Sequence, residues 1–285
     1  MTDSSGAVDI YLEAAEYNRD DPLVEGSLLV FPNYGQLVMT GDLHGNFKNF
    51  QKLVKYCDLD RAAVRHVILH EMIHEEVATL DDLDMSHLLL LEAAKYKVAY
   101  ADQVHFLQSN HELAQLTGHH ITKAGRSVTG DFDLGVAETY GQADAPKVLE
   151  AIKTFIRSFP LAGRTPNRIM LSHSLPGRQH IKTFDPTVVR RVPSDEDLAD
   201  QGSAFAMAWG RNQPPDLLDQ LAEAFDVDLF VVGHQPQEMG YKVHQHRMLI
   251  IASDHGHGMF LPFDLKKAYA LDDLVHLLQP FAALE

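Results

Sequence analysis

This sequence of 285 residues has a single cysteine and no long apolar run. With Cys57 alone no internal disulfide can form, which is typical of a protein from a reducing compartment. The apolar run around Leu88–Leu91 falls far short of the roughly 18–20 residues that a membrane helix needs. The N-terminus lacks the basic start and apolar core of a signal peptide. We therefore expect a cytoplasmic protein with no membrane partner.

Cations are also scarce relative to anions. Lys and Arg number 24 against 40 Asp and Glu, and the net charge is −16. This balance disfavours nucleic acid as a partner, because binding to it depends on cations that neutralise phosphates. Histidine, by contrast, is abundant, with 17 residues. Histidine is the commonest metal ligand in proteins, although composition alone does not separate metal ligands from surface histidines.

Short apolar runs rich in β-branched residues alternate with helical patterns, which predicts a layered α/β fold with a sizeable core. The predicted strands are Gln36–Thr40, His66–Leu69, Val104–Leu107, Arg168–Ser172, Asp228–Val232 and Met248–Ala252. The predicted helices are Phe47–Tyr56, Ser86–Tyr96, Lys147–Phe159 and Asp216–Phe225. Residues 1–35 are predicted to form an N-terminal extension of a helix (1–20) and a hairpin, and residues 36–285 the main domain. The hairpin is predicted to pair Ser27–Phe31 with Gln36–Thr40.

Polar side chains follow five of the predicted strands, at the point where each strand ends. They are Asp42 and His44, then His70 and Glu71, then Asn110 and His111, then His173, and finally His234. In open α/β sheets, ligands bind beyond the carboxyl ends of the strands, so these side chains are expected to converge. Nitrogen and oxygen donors of this kind suit divalent metal ions, and their number favours two ions over one.

Four blocks in this order resemble a known family. The segment 41–46 (GDLHGN), the segment 109–112 (SNHE), the strand-end His173 and the segment 233–235 (GHQ) resemble the calcineurin-like metallophosphoesterases. The resemblance covers residues 36–265, and within the family it points to the PPP-type serine/threonine protein phosphatases and the bacterial symmetrical dinucleoside-tetraphosphate hydrolases. It implies a layered β-sandwich flanked by helices, with the active site at the carboxyl ends of the strands.

The resemblance also implies cofactors, a substrate class and residue roles. It implies two divalent transition metal ions (manganese, iron or zinc), a metal-bridging hydroxide as nucleophile, and a phosphorylated substrate that is either a phosphoprotein or a nucleotide. Asp42 and His44 match ligands of the first ion, and Asn110, His173 and His234 match ligands of the second. His111 matches the general acid, Arg211 matches a phosphate-binding arginine, and His255 lies in a segment that lines the cleft.

The second family motif, Gly-Asp-x-x-Asp-Arg-Gly, is altered here and reads His-Glu-Met-Ile-His-Glu-Glu over residues 70–76. Glu71 stands where the family has its metal-bridging Asp, and it is still a carboxylate. His74 replaces the Asp that orients the acid histidine, and Glu75 replaces an Arg that clamps phosphate. An acidic side chain beside the substrate repels phosphate, so a metal-binding pseudophosphatase with little turnover is the alternative interpretation.

The same segment contains a literal H-E-x-x-H pattern, His70 to His74. On a helix this pattern binds zinc in proteases. The preceding run is short and β-branched, which favours a strand end over a helix, and the protease hypothesis leaves the other motifs unexplained. A hybrid remains open, in which His70 or His74 enlarges the metal site.

Overall fold

Two β-sheets and ten α-helices make up the part of the chain that the computed structural model describes, residues 2–75, 79, 82–123 and 125–284. The strands are β1 (Val24–Glu25), β2 (Leu28–Val30), β3 (Gln36–Thr40), β4 (Arg65–His70), β5 (Val104–Leu107), β6 (Thr122–Lys123), β7 (Arg126–Ser127), β8 (Ala162–Arg164), β9 (Ile169–Ser172), β10 (Leu229–Val232), β11 (Tyr241–His244), β12 (Met248–Ile251), β13 (Met259–Asp264) and β14 (Gln279–Pro280). Only β6 and β7 lie outside the two sheets, as a separate ribbon.

Helices connect most of the parallel strands. They are α1 (Ser4–Arg19), α2 (Phe47–Cys57), α3 (His87–Ala99), α4 (Asn110–Thr117), α5 (Val128–Tyr140), α6 (Ala145–Arg157), α7 (Asp195–Leu198), α8 (Ser203–Trp209), α9 (Pro215–Phe225) and α10 (Leu271–Leu277), with 3₁₀ turns at Pro186–Arg190 and Phe281–Ala283. No helix in the described part of the chain is both long and apolar enough to cross a membrane.

The seven-stranded sheet has the order β1-β2-β8-β9-β10-β12-β11, and the five-stranded sheet the order β14-β13-β3-β4-β5. Each sheet contains three neighbouring strands that run parallel: β9, β10 and β12 in one, and β3, β4 and β5 in the other. Parallel strands of this kind are covered on both faces, which explains their continuous apolar runs. The resulting order of layers is helix, sheet, sheet, helix, as the resemblance implied.

Three apolar cores hold these layers together. Between the sheets, Met39 and Ile68 of one meet Leu171 and Val231 of the other. The outer face of the five-stranded sheet packs under α1, α2, α3, α5 and α6, and the outer face of the seven-stranded sheet packs under α8 and α9. Both sheets are therefore fixed from two sides, and the strand ends project from a rigid scaffold.

The predicted strands and helices are all present, with ends shifted by no more than a few residues. Strands β3 and β5 have the predicted bounds. The predicted hairpin between Ser27–Phe31 and Gln36–Thr40 is wrong. Strand β2 pairs with β1 and β8 in the seven-stranded sheet, whereas β3 pairs with β4 and β13 in the five-stranded sheet. The intervening segment 32–35 crosses from one sheet to the other, and Leu29 of β2 and Leu37 of β3 are buried in the same core between the two sheets.

Helix α1 packs against α3 and α6 of the main domain. The hydroxyl of Tyr11 donates to the backbone oxygen of His87 at 3.0 Å, and Ser4 bonds to Asp144 at 2.9 Å. The segment that precedes β3 therefore contributes to the helical layer and, through β1 and β2, to the larger sheet. A boundary at residue 35 stays a prediction.

His87 is fully buried beneath this helix. Its Nε2 donates to Oγ1 of Thr139 at 2.9 Å, because that hydroxyl already donates to the backbone oxygen of Gly135. Its Nδ1 has no hydrogen-bond partner among the described residues, and the rings of Phe132 and Tyr140 lie beside it. Burial accordingly lowers the pKa of His87 from 6.5 to about 4, which keeps the ring neutral.

The lowered pKa of His87 predicts that folding stability depends on pH. An unfolded chain binds a proton at this residue near pH 6.5 and the folded protein does so only near pH 4, so folding stability falls as the pH falls between these values. The variant His87→Phe should flatten this dependence, by up to about 3 kcal/mol at pH 4 relative to wild type. Urea unfolding at several pH values would measure it, and parallel pH slopes for the two proteins would contradict it.

Candidate metal centre

The ends of five strands from the two sheets meet at one edge of the sandwich. Asp42 follows β3 and Glu71 follows β4, while Asn110 lies in the first turn of α4, just after β5. His173 follows β9, and His234 comes shortly after β10. A parallel bridge between Asp42 and Ala252 joins the two sheets here. The expected convergence of strand ends is therefore present, although it involves two sheets rather than one.

The loops at this edge turn sharply and are tied to one another. His44, Glu71, His74 and His234 all have positive φ, between 40° and 67°, a region that side chains with a Cβ seldom adopt. The backbone N–H groups of Leu43 and His44 both donate to the carbonyl of Glu71, at 2.9 and 2.8 Å. These bonds hold the strained loops in place, and strain of this kind is concentrated at functional sites.

Glu112 ties the same loop to helix α4. Its Oε1 accepts a hydrogen bond from the backbone N–H of Met72 at 2.6 Å, and its Oε2 contacts the hydroxyl of Ser109, the N-cap of the helix. This bond fixes the start of α4, and hence Asn110, against the end of β4. Burial raises the pKa of Glu112 to about 7.

Four ligand atoms from four different segments form the densest cluster. Nε2 of His173 lies 2.7 Å from Oδ1 of Asn110, 3.1 Å from Nδ1 of His234 and 3.2 Å from Oε2 of Glu71. Nδ1 of His234 lies 2.8 Å from the same Asn110 oxygen. All four residues are buried, so solvent does not separate these polar groups.

The hydrogen-bond polarity around this cluster tests whether it fits a cation. Nε2 of His70 lies 2.8 Å from the carbonyl of Thr40, to which it can only donate. Nδ1 of the neutral His70 ring then accepts, and it accepts from Nδ1 of His173 at 3.1 Å. Nε2 of His173 is left with a lone pair that faces the oxygens of Asn110 and Glu71. Acceptors that face one another in a buried site fit a metal ion between them.

A second group of ligand atoms lies beside the first and also includes Glu71. Nδ1 of His44 donates to the carbonyl of Ile73 at 2.9 Å, which leaves its Nε2 unprotonated, 3.9 Å from Oε2 of Glu71. Ligand atoms of His44, Glu71 and His111 all lie within 4.8 Å of one another. The carboxylate of Glu71 thus belongs to two ligand groups, as a bridging residue would.

Asp42, which follows β3 of the five-stranded sheet, completes this region. Its Oδ1 accepts from the backbone N–H of His234 at 2.9 Å and lies 3.7 Å from Nδ1 of both His70 and His173. These three side chains form a further group that could hold a metal ion. The sequence placed His70 at a strand end, but gave it no role beyond a possible enlargement of the site. Its place immediately before Glu71, at the end of a buried strand, was the available signal.

The electrostatics of the site are unfavourable without positive charge. Burial raises the pKa of Asp42 to about 7 and raises that of Glu71 well above its ordinary value, where the nearby Asp42 charge adds to the effect. Burial also lowers the pKa of His234 to about 3 and that of His173 well below its ordinary value. Neutral imidazoles and crowded carboxylates together are what a divalent cation stabilises, because it favours the deprotonated form of every ligand.

The remaining predicted residues lie around this centre. Nδ1 of His111 is 2.8 Å from Nδ1 of His74, and its ring meets that of His44 edge-on. Arg211 donates from Nε to Nε2 of His234 at 3.0 Å. His255 lies outside the ligand groups of the described residues, and its Nε2 donates to the carbonyl of Gln237 at 2.9 Å.

Glu75 is not a member of the ligand groups among the described residues. Its Oε1 accepts from the backbone N–H of Met85 at 2.6 Å, and its side chain packs beside Gly45. Burial raises the pKa of this carboxyl. The second acidic residue of the pair, Glu76, lies outside the described residues. The repulsion of phosphate that the sequence suggested is therefore weakened at Glu75.

The zinc-protease hypothesis is wrong. That pattern requires a helix, on which two histidines four residues apart share one face. Here His70 ends strand β4, and residues 71–75 are not helical, with positive φ at Glu71 and His74. His70 contacts His173, whereas His74 contacts His111, so the two histidines belong to different groups of side chains.

Gly233 allows a prediction about this centre. A Cβ at this position would come within 2.5 Å of the His70 ring and collide with Oδ1 of Asp42. The variant Gly233→Ala should therefore bind Mn²⁺ at least tenfold more weakly, about 1.4 kcal/mol, in calorimetric titration of the metal-free protein. Gly256→Ala is the matched control, because its Cβ would meet nothing within 4 Å. Equal affinities for the two variants would show that the packing around Gly233 does not position the ligands.

Comparison with known proteins agrees with the geometry. The fold is similar to that of a serine/threonine protein phosphatase from Saccharomyces cerevisiae, with a TM-score of 0.71 at 14% identity, over 99% of this chain and 90% of that one. It is also similar to a cold-active protein-tyrosine phosphatase of a psychrophilic Shewanella, with a TM-score of 0.58 at 14% identity, over 88% and 80%. The sequence profile of the calcineurin-like phosphoesterases matches residues 36–238, which include all five ligand-bearing strand ends, and the chain belongs to that family.

Proposed function

We propose that this protein is a phosphoester hydrolase that depends on two divalent metal ions. The observation that carries the proposal is the position of Glu71, whose buried carboxylate is shared by two groups of ligand atoms. A carboxylate in such a position holds two cations close together, which is the arrangement of dinuclear phosphoesterases.

The proposed ligands divide between two ions. Asp42, His44 and Glu71 would hold one, and Glu71 with Asn110, His173 and His234 would hold the other. Oxygen and imidazole donors in this mixture accept manganese, iron or zinc. When bound, such a pair of cations lowers the pKa of a water molecule and neutralises the phosphoryl oxygens of a substrate.

His111 is the proposed general acid. It lies in the first turn of α4, next to Asn110, and its Nδ1 is held by His74 at 2.8 Å. As general acid, His111 would deliver a proton to the leaving oxygen of the substrate. His111 is also less buried than the proposed metal ligands Asn110 and His173, so a substrate can reach it.

Arg211 is the proposed phosphate-binding residue. Its guanidinium lies beside His234, with Nε 3.0 Å from Nε2 and one terminal nitrogen 3.4 Å from the backbone oxygen. Arginine suits phosphate because its planar fork donates two parallel hydrogen bonds. The substrate is proposed to be a phosphoprotein or a nucleotide, hydrolysed in the cytoplasm by a catalytic domain of residues 36–285.

The alternative of a pseudophosphatase is motivated by the missing arginine of the second motif. Glu75 occupies that place, but its carboxyl accepts a hydrogen bond from the backbone of Met85 and belongs to none of the ligand groups among the described residues. An enzyme with turnover is therefore the better-supported proposal, with Arg211 as the cation that binds the phosphate of the substrate.

Removal of the proposed acid should affect substrates unequally. His111→Ala should lower kcat by roughly 10²–10⁴-fold on an alkyl phosphate. The loss should be smaller on p-nitrophenyl phosphate, because a nitrophenolate leaves without a proton. Steady-state assays of manganese-loaded protein would measure both, with the exposed His276→Ala as control. Wild-type protein that binds metal but hydrolyses no phosphomonoester, diester or dinucleoside polyphosphate would establish the pseudophosphatase instead.

The bridging role of Glu71 predicts a change in metal content. Glu71→Gln removes the charge shared by both ligand groups and should reduce the bound metal from two ions per chain to one or fewer. Glu71→Asp, which restores the residue of the family motif, should retain both ions. Elemental analysis after gel filtration in Mn²⁺ would count them. Two ions retained in Glu71→Gln would place this carboxylate outside the centre.

A further inference from the structure

His74, where the family has an aspartate, is one link in a chain of hydrogen bonds. Its Nδ1 is 2.8 Å from Nδ1 of His111, and its Nε2 is 3.2 Å from Oε1 of Gln115. The amide nitrogen of Gln115 in turn donates to Oδ1 of Asp133 at 2.7 Å. Three segments contribute to this chain: the loop after β4, helix α4 and helix α5.

Asp133, the last member of this series of hydrogen bonds, determines which atoms in it donate and which accept. A carboxylate accepts hydrogen bonds but does not donate them, so Asp133 orients the Gln115 side chain with its nitrogen outward. The amide oxygen of Gln115 then faces His74 and can only accept. The opposite orientation of the amide would place its oxygen against the carboxylate of Asp133.

The tautomer of His74 follows from this orientation. Nε2 carries the proton that Gln115 accepts, and Nδ1 of the neutral ring keeps its lone pair. His111 therefore donates its Nδ1 proton to His74. A histidine with the other tautomer would present an N–H to His111 and could not accept from it.

The surroundings preserve this arrangement. His74 and Gln115 are both buried, and the Phe132 ring lies edge-on to the His74 ring at 5.5 Å. The backbone N–H of His74 donates to Oγ of Ser86 at 2.8 Å, which anchors the loop. Gln115 lies four residues after His111, so both point from the same face of α4 and reach His74 from two sides.

We propose that Gln115 and Asp133 are positioning residues that make His74 an obligatory hydrogen-bond acceptor for His111, in place of a carboxylate. This inference rests on the proposed role of His111 as general acid. An aspartate at position 74 has no tautomers and would accept without help from either residue. The pair Gln115–Asp133 thus compensates for the altered second motif within this chain.

The first experiment reads the tautomer without any assay of activity. In long-range ¹⁵N–¹H spectra of the full-length protein labelled at histidine, the signal absent from His74→Asp identifies His74. Wild-type protein should show the Nε2–H form. Gln115→Leu should lose this preference and populate the Nδ1–H form. A wild-type ring in the Nδ1–H form, or the same tautomer in both proteins, would overturn the inference.

The second experiment is a double-mutant cycle on turnover. Gln115→Leu should lower kcat by about 10-fold or more, with little change in KM. In the His74→Asp background the same substitution should have no further effect. Asp133→Ala should act in the same direction but more weakly, because Asp133 is partly exposed and water can replace its oxygen. Equal effects of Gln115→Leu in both backgrounds would mean a general packing role and would overturn the inference.

Gln103→Leu is the matched control for the loss of a hydrogen-bonded glutamine. Gln103 donates to the carbonyls of Ala62 and Arg65 at the opposite end of β5, so its loss should leave kcat unchanged. A wild-type protein without turnover would count against the proposed function, whereas the spectroscopic result would still decide the role of Gln115.

Discussion

The site depends on one constraint, the crowding of hydrogen-bond acceptors and carboxylates in a space without solvent. The lone pair of His173 faces the oxygens of Asn110 and Glu71, and the Asp42 carboxylate lies close to the rings of His70 and His173. Such groups repel one another unless a cation or a proton lies between them. The cores on both sides of each sheet supply the rigidity that keeps them together.

Each residue that differs from the family in the second motif makes its own contacts in this structure. Glu71 keeps a carboxylate at this position, and that carboxylate belongs to two ligand groups. His74 exchanges a charged acceptor for a neutral one, and Gln115 supplies the hydrogen bond that selects its tautomer. Glu75 finds a partner in the backbone of Met85. Each replacement thus has a hydrogen-bond partner or a ligand group within the described chain.

The regular elements and most of the site could be predicted from the sequence. Strands such as β3 and β5 were predicted with correct bounds, because buried parallel strands produce short apolar runs that end abruptly at polar residues. The hairpin was predicted wrongly, because two adjacent runs with a turn between them have the same local pattern whether they pair or enter different sheets. The hydrogen bond of Glu75 could not be predicted from the sequence either, because its donor, the backbone N–H of Met85, lies further along the same connection between β4 and α3.

The sequence by itself determined which residues stand at the strand ends, because strand periodicity is local and the motifs are contiguous. Tertiary structure decided what each side chain faces. The direction of His70 toward His173, and of Gln115 toward His74, depends on segments that lie tens of residues apart in the chain. A hydrogen bond has a donor and an acceptor, and which nitrogen of a histidine plays either part is set by the distant group that folding brings beside it.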